Sequence, residues 1–489
     1  MKLELLSAAE LGALVNDGQI KPSEVMRYFI ARIQARNPSV NAFTYTMFDY
    51  ALSKAKEYDQ KVEAGVYLGP FAGVPFALKD FLPSKAGWQT SHGGVRCLMS
   101  TDEVNSVFCD AVESLGGIAV GKTNAPSYGF RGVTDNKLYG VTKNPFDTSY
   151  NAGGSSGGSA VAVADGMVLI AEGGDAGGSI RVPACFNNLF GFKAGVGVIP
   201  SVSRPDAFAA SHPYCAAGGL TKTVTDAAIL LNAMSRYDSL DPTGRPCQTD
   251  YVAALTQDVG GKKIAYTLDF DIFSVEQCVK DKFLGEIERL KAFGFDLTPV
   301  HFHFRHTALE LARQWCFGIT VDPAIELNLL RAKGADLLKD HKDDFPEEFV
   351  YWKERCDKAT IMDLYEFNLA RTEVLDELET VFKTYDYILS PISCVKGVPN
   401  GDDRNTKGPE QVEGVAVDAL IGWCETYLTN FSGHPAASIP CGFVADTIPF
   451  GIQAIAPKFH DADLLALAYQ MERCNPWRDD FGKALERAI

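Results

Sequence analysis

The chain is predicted to fold as an α/β protein, a mixed β-sheet core covered by helices on both sides with a mostly helical insertion. Three observations predict this. From about 69 to 234, short apolar runs such as Ile118-Ala119-Val120 alternate with Gly/Pro/Asn turns and helical stretches, the pattern of strands interleaved with covering helices. Residues 262–268 read as a strand, 275–293 as an amphipathic helix and 297–300 as a second strand, which makes a strand–helix–strand unit. Strand-like runs then return at 387–391, 437–440 and 450–455.

Taken in order, 6–34 and 49–65 carry apolar residues at helical spacing, with Ser7 and Ser23 placed as N-caps, so about 1–65 reads as a helical N-terminal arm. The core follows at about 69–234. An insert spans about 240–384, whose second half, 307–384, is helical in pattern and rich in Phe, Tyr and Trp. Its Trp315, Phe317, Tyr351 and Trp352 suit an aryl or aliphatic pocket as well as a core. From about 385 to 489 the chain returns to the core and ends on a helix at 461–472. No Pro/Gly/Ser linker, long charge run or internal repeat divides it, so 1–489 is expected to be a single domain.

Composition narrows the class. With 489 residues, 46% hydrophobic and 22% charged, the chain can bury a large core and is ordinary for a globular enzyme. A formal charge of −16 argues against nucleic acid and anionic membranes, both of which rely on clustered Lys and Arg. Met1-Lys2-Leu3-Glu4-Leu5-Leu6-Ser7 has no apolar stretch of signal-peptide length, and no apolar run is long enough to span a membrane. The twelve cysteines show no Cys-x-x-Cys pair or Cys/His ligand spacing, which suits reduced thiols in the cytoplasm. A monomer or homodimer is expected.

Chemistry concentrates in two glycine-rich turns. Gly153-Gly154-Ser155-Ser156-Gly157-Gly158-Ser159 and Asp175-Ala176-Gly177-Gly178-Ser179-Ile180-Arg181 flank an Ala/Val-rich, proline-free segment at 160–170. Glycine lets backbone N–H groups turn inward beside hydroxyls, which equips such turns to attack a carbonyl and hold its oxyanion. A flexible linker would not carry the flanking apolar run or end in Ile180-Arg181-Val182-Pro183-Ala184. A formal phosphate-loop match, Gly116-Gly117-Ile118-Ala119-Val120-Gly121-Lys122-Thr123, fails on context: its middle reads as a strand, and Asn124-Ala125-Pro126 breaks the helix that should follow. His301 and His303 would share one face of a strand in His301-Phe302-His303-Phe304-Arg305-His306. With no acidic residue or cysteine beside them in sequence, they read as solvated histidines and not metal ligands.

A serine nucleophile needs a base, and none of the eight histidines lies in a nucleophile-elbow context. The two glycine-rich blocks together with Pro75-Phe76-Ala77-Leu78-Lys79-Asp80 resemble the amidase signature family of serine hydrolases. The likeness runs over most of the chain. It takes in Leu6-Ser7-Ala8-Ala9-Glu10-Leu11, Gly73-Val74-Pro75, Gly121-Lys122-Thr123-Asn124, Lys143-Asn144-Pro145-Phe146-Asp147 and Asn430-Phe431-Ser432-Gly433-His434-Pro435-Ala436-Ala437-Ser438-Ile439-Pro440. The resemblance implies an amidase-signature-like fold and an amide hydrolase that cleaves a small carboxylic amide through a serine acyl-enzyme. In it Lys79 is the base, Ser155 the bridging serine and Ser179 the nucleophile. The backbone N–H groups of Ala176, Gly177, Gly178 and Ser179 make the oxyanion hole, Ser156, Asp175 and Arg181 give support, and no metal or cofactor takes part.

The apolar flanks of Lys79 suit a lysine held neutral by burial. Ser155, Ser156 and Ser159 also fit as caps for the following helix, and Asp80 reads as a solvated charge. Two positions depart from the family pattern: Gly174 where many relatives have threonine, and Lys193-Ala194-Gly195 where they have Lys-Pro-Thr. Both fall outside the triad. The alternative is the catalytic subunit of a tRNA-dependent amidotransferase. Those subunits carry an acidic residue for the glutamine amino group in a Ser-Leu-Asp-Gln segment, whereas Pro213-Tyr214-Cys215-Ala216-Ala217-Gly218-Gly219-Leu220 has no carboxylate.

Overall fold

The computed structural model describes residues 2–246 and 248–487. Its strands, in chain order, are β1 (Phe43–Thr46), β2 (Pro75–Lys79), β3 (Gln89–Thr90), β4 (Ser100–Thr101), β5 (Ile118–Thr123), β6 (Ile170–Asp175), β7 (Phe190–Lys193) and β8 (Ala216–Thr221). There follow β9 (Lys263–Tyr266), β10 (Asp296–Pro299), β11 (Tyr387–Pro391), β12 (Gln411–Val412), β13 (Val415–Ala416), β14 (Ala436–Val444) and β15 (Ile448–Ile455). Eleven of them form one sheet in the order β1-β5-β2-β6-β8-β7-β14-β15-β11-β9-β10. The sheet is mixed. β2 runs parallel to β5 and β6, β9 lies parallel to β10 and β11, and the middle, from β6 through β8, β7, β14 and β15 to β11, is antiparallel.

Helices flank this sheet, as expected of the α/β class. The principal ones are α1 (Ala8–Asn16), α2 (Pro22–Val40), α3 (Phe48–Glu63), α4 (Val107–Ser114), α5 (Gly157–Ala164), α6 (Arg181–Phe186) and α7 (Val224–Met234). The later ones are α8 (Tyr251–Ala254), α9 (Gln277–Ala292), α10 (Ala308–Ala332), α11 (Leu337–Asp340), α12 (Glu347–Asp357), α13 (Ile361–Phe382), α14 (Leu428–Ser432) and α15 (Asp461–Cys474). The strands nearest the two glycine-rich turns are buried along most of their length, as β2 and β5 show at every residue. That is why they read as apolar runs and not as alternation.

Several expectations need correction. The helical stretch 6–34 is two helices, separated where Gly18 takes a positive φ of 70°. Ser7 does cap the first, in a reciprocal capping box with Glu10. Ser23 caps nothing: Pro22 starts the second helix, and the Ser23 backbone N–H donates to Asp59 Oδ1 at 2.9 Å. The arm also supplies an edge strand, β1, paired with β5. The unit at 262–300 has the expected strand–helix–strand form, but both its strands join the main sheet. His301, His303 and His306 lie beyond the end of β10 and not in a strand. Acidic partners from elsewhere hold two of them, Asp271 on His301 (3.0 Å) and Glu373 on His306 (2.5 Å). The phosphate-loop match is β5 itself, and Lys122 is tied in the interior to Asp102 at 2.5 Å.

Candidate active site

Lys79 ends the buried strand β2, and Phe76, Ala77 and Leu78 before it have no exposure. Its own exposure is 4%. Burial disfavours the ammonium and brings its pKa down from 10.5 to about 7, although the charges of Glu172 and Asp175 push it upward. Nζ lies 2.7 Å from Ser155 Oγ, a geometry in which a neutral amine can take the serine's proton. The Phe81 ring stands 5.2 Å from Nζ, while Leu82 beyond it is exposed. Asp80 is not a solvated charge. It is buried and accepts from the Ser91 backbone N–H (2.8 Å), the Ser91 hydroxyl (2.6 Å) and the Thr90 hydroxyl (3.3 Å), which pins the chain just after the lysine.

Ser155 sits immediately ahead of α5, but the helix is not capped by it. Thr134 does that work: its Oγ1 accepts from the Gly157 N–H (3.0 Å) and donates to the Gly153 carbonyl (2.8 Å). Ser155 Oγ is thereby left for Lys79. Ser156 holds the N-cap position without a side-chain cap bond. Its hydroxyl accepts from the Gly174 N–H (3.4 Å), and its backbone N–H donates to the Ser179 carbonyl (3.2 Å). Ser156 therefore ties the two glycine-rich turns together. Ser159 is 2.7 Å from the Thr123 hydroxyl, bonding the helix to β5.

The second turn is held from behind by a buried ion pair. Arg181 donates from Nε to Asp175 Oδ2 (3.0 Å) and from a terminal nitrogen to Oδ1 (2.8 Å), with both side chains fully buried. Burial works against the carboxylate, yet Arg181 outweighs it and holds Asp175 well below the usual range. The remaining Arg181 donors reach the Thr426 carbonyl, Thr429, Gln453 and Asn430. Of the four amides expected to face an oxyanion, that of Gly178 is already committed, donating to Asp175 Oδ1 at 2.8 Å. This sets Gly178 apart from Ala176, Gly177 and Ser179: it fixes the turn. Gly178 has φ +122°, and a Cβ there would overlap the Thr426 hydroxyl, so only glycine fits.

Replacing Arg181 with methionine strands the Asp175 charge in the interior. The expected loss is about 3–5 kcal/mol of stability, read from urea unfolding at neutral pH; a loss under about 1 kcal/mol would mean that the pair is not the clamp described.

Thr426 joins the site without a signal in the sequence, together with Trp315, which reads there as pocket or core, and Asn430, which opens the last of the resembling blocks. The Trp315 indole N–H donates to the Ala176 carbonyl at 2.8 Å, Thr426 Oγ1 donates to the Gly177 carbonyl at 2.6 Å, and Asn430 Nδ2 donates to the Asp175 carbonyl at 3.0 Å. Three consecutive carbonyls, those of Asp175, Ala176 and Gly177, are thus each held by a side chain from outside the turn. The other insert aromatics go elsewhere: Phe317, Tyr351 and Trp352 line a separate cavity of about 270 Å³ with Arg313, Arg355, Asp363 and Glu366. Gly174 has nothing within 4 Å of an added Cβ. Among the described residues no group of three His, Cys, Asp or Glu is placed to hold a metal.

The amidase family model matches residues 24–465. An acylamidase of Rhodococcus erythropolis is 32% identical over 98% of this chain and 97% of its own. The crystal structure of a bacterial aryl acylamidase of the amidase signature family superposes with a TM-score of 0.95 at 37% identity, covering 99% of both chains. One subunit of the glutamyl-tRNA(Gln) amidotransferase of Clostridium botulinum (strain Alaska E43 / Type E3) is 29% identical over 96% of this chain and 98% of its own.

Proposed function

The chain belongs to the amidase signature family and is an amide hydrolase; on that basis we propose that it cleaves small carboxylic amides, anilides foremost, through an acyl-enzyme on Ser179. Lys79, neutral, takes the Ser155 proton as Ser155 takes that of Ser179, whose Oγ attacks the carbonyl carbon. The oxyanion is received by the amides of Ala176, Gly177 and Ser179. The relay then returns the proton to the leaving nitrogen, the C–N bond breaks, and the amine departs. Water enters, gives a proton to the relay, and releases the acid by the reverse path. The observation that carries this reading is a lysine buried to 4% exposure, 2.7 Å from a serine hydroxyl, with a pKa brought to about 7.

The continuous eleven-stranded sheet supports reading 1–489 as a single amidase-signature domain. No helix of the described residues is long and apolar enough to cross a membrane, and the eleven described cysteines are free thiols, which supports work in the cytoplasm.

The amidotransferase reading turns on Cys215. It brings no charge itself, but Asp322 on α10 acts on it electrostatically. Burial raises Asp322 to about 7, so at neutral pH that carboxylate is only partly ionised and makes a weak counter-charge for a glutamine ammonium. The test is a panel of an anilide, a fatty amide, a short aliphatic amide and glutamine, with released amine or ammonia measured on the purified chain alone. Anilide turnover well above glutamine turnover is expected; glutaminase activity that appears only with a second protein would overturn the reading.

A further inference from the structure

Beside Tyr214 a cleft of about 490 Å³ opens between α13, the turn after α14 and Phe459. Three cations line it, Arg245, Arg371 and Lys458. Two are already answered, since Arg245 lies 3.6 Å from Asp461 and Lys458 3.2 Å from Glu379. Arg371 is not. Its half-buried guanidinium faces neutral acceptors, the Phe431 carbonyl at 3.3 Å and the Asn368 side chain at 3.5 Å, and stacks over the Tyr214 and Phe367 rings at 4.7 and 5.3 Å. No carboxylate among the described residues pairs with it.

We propose that this cleft binds a small organic monocarboxylate, held by the Arg371 guanidinium. One unanswered positive charge matches one negative charge, which favours a monoanion over a phosphate dianion. The planar fork of arginine fits the two oxygens of a carboxylate, and desolvation strengthens such a bond. Val196, Leu375, Phe431 and Phe459 give the ligand's body an apolar wall. The cleft also borders the candidate site: Asn430, which donates to the Asp175 carbonyl, donates to the Tyr214 carbonyl at 3.1 Å as well. A monocarboxylate is the class of product that amide hydrolysis releases, and in that respect alone the inference rests on the proposed function; the binding itself does not require turnover.

The experiment is a calorimetric titration of the full chain with benzoate at neutral pH, repeated with inorganic phosphate and with two variants. Arg371→Gln removes the charge. Thr372→Glu, at an exposed cleft-lining position, puts a competing carboxylate beside Arg371 and keeps the proposal testable if the first variant fails to fold. Saturable benzoate binding at one site is expected, weakened at least about tenfold in each folded variant, with phosphate at equal concentration failing to displace it. No binding at millimolar benzoate, unchanged affinity in Thr372→Glu, or displacement by phosphate would each overturn the proposal. Amide turnover measured in parallel stands apart from these outcomes, so failure of the cleft and failure of the active-site reading are distinguishable.

Discussion

Ser179→Ala is expected to lower kcat/KM for an anilide by about a thousandfold or more while leaving unfolding stability within about 1 kcal/mol of the parent. The two halves of that expectation have one cause. Ser179 is 8% exposed, and its hydroxyl makes no hydrogen bond among the described residues, so deleting it breaks no packing and leaves no orphaned partner. What it removes is the atom proposed to form the acyl-enzyme. Ser155→Ala leaves Ser179 in place but removes the hydroxyl that lies 2.7 Å from Lys79 Nζ, and should cost a large part of the same rate. Initial rates together with urea unfolding of both variants check the expectation.

The second large effect belongs to Lys79, and it has a sign in pH. With a folded pKa near 7, kcat/KM should rise through neutrality as the ammonium gives up its proton, whereas an exposed lysine would place that limb near about 10.4. Stability moves with it. The folded pKa is depressed below that of the unfolded chain, so the penalty for burying the ammonium is fully present below pH 7 and is relieved as pH rises toward the unfolded value. Lys79→Met should therefore be inactive yet more stable than the parent at pH 6, by a few kcal/mol, with the gain fading by about pH 10. Lys79→Arg, which cannot deprotonate, should be inactive without that gain. A flat pH–rate profile, or an active arginine variant, would make Lys79 a structural cation.

How much of this was legible in the sequence depends on how local each signal is. The glycine-rich turns, the apolar run ahead of Lys79 and the Ser7–Glu10 capping box are written in contiguous residues, and the structure reproduces the elements they foretell. Asp80 reads as solvated because its partners, Ser91 and Thr90, come from a turn that sequence alone does not fold back. Trp315 and Thr426 reach the second glycine-rich turn from far along the chain, and nothing in their immediate neighbours distinguishes an indole bonded to that turn from one in a core. Thr134 takes the capping role expected of Ser155 for the same reason. The histidine alternation at 301–306 carries a strand period, but their acidic partners Asp271 and Glu373 lie distant in sequence and hold that segment outside the sheet. In each case the long-range hydrogen-bond partner decides, and a single sequence does not name partners.

Ser179 is the residue proposed to carry the acyl group. The most direct test is to incubate the protein with a fluorophosphonate, digest it, and locate the adduct by peptide mass spectrometry, with Ser179→Ala as the control. One adduct per chain is expected on the peptide containing Ser179, with loss of anilide hydrolysis in step with labelling and no adduct in the alanine variant. An adduct on a different serine with activity lost in parallel, or full activity in a chain quantitatively labelled at Ser179, would contradict it.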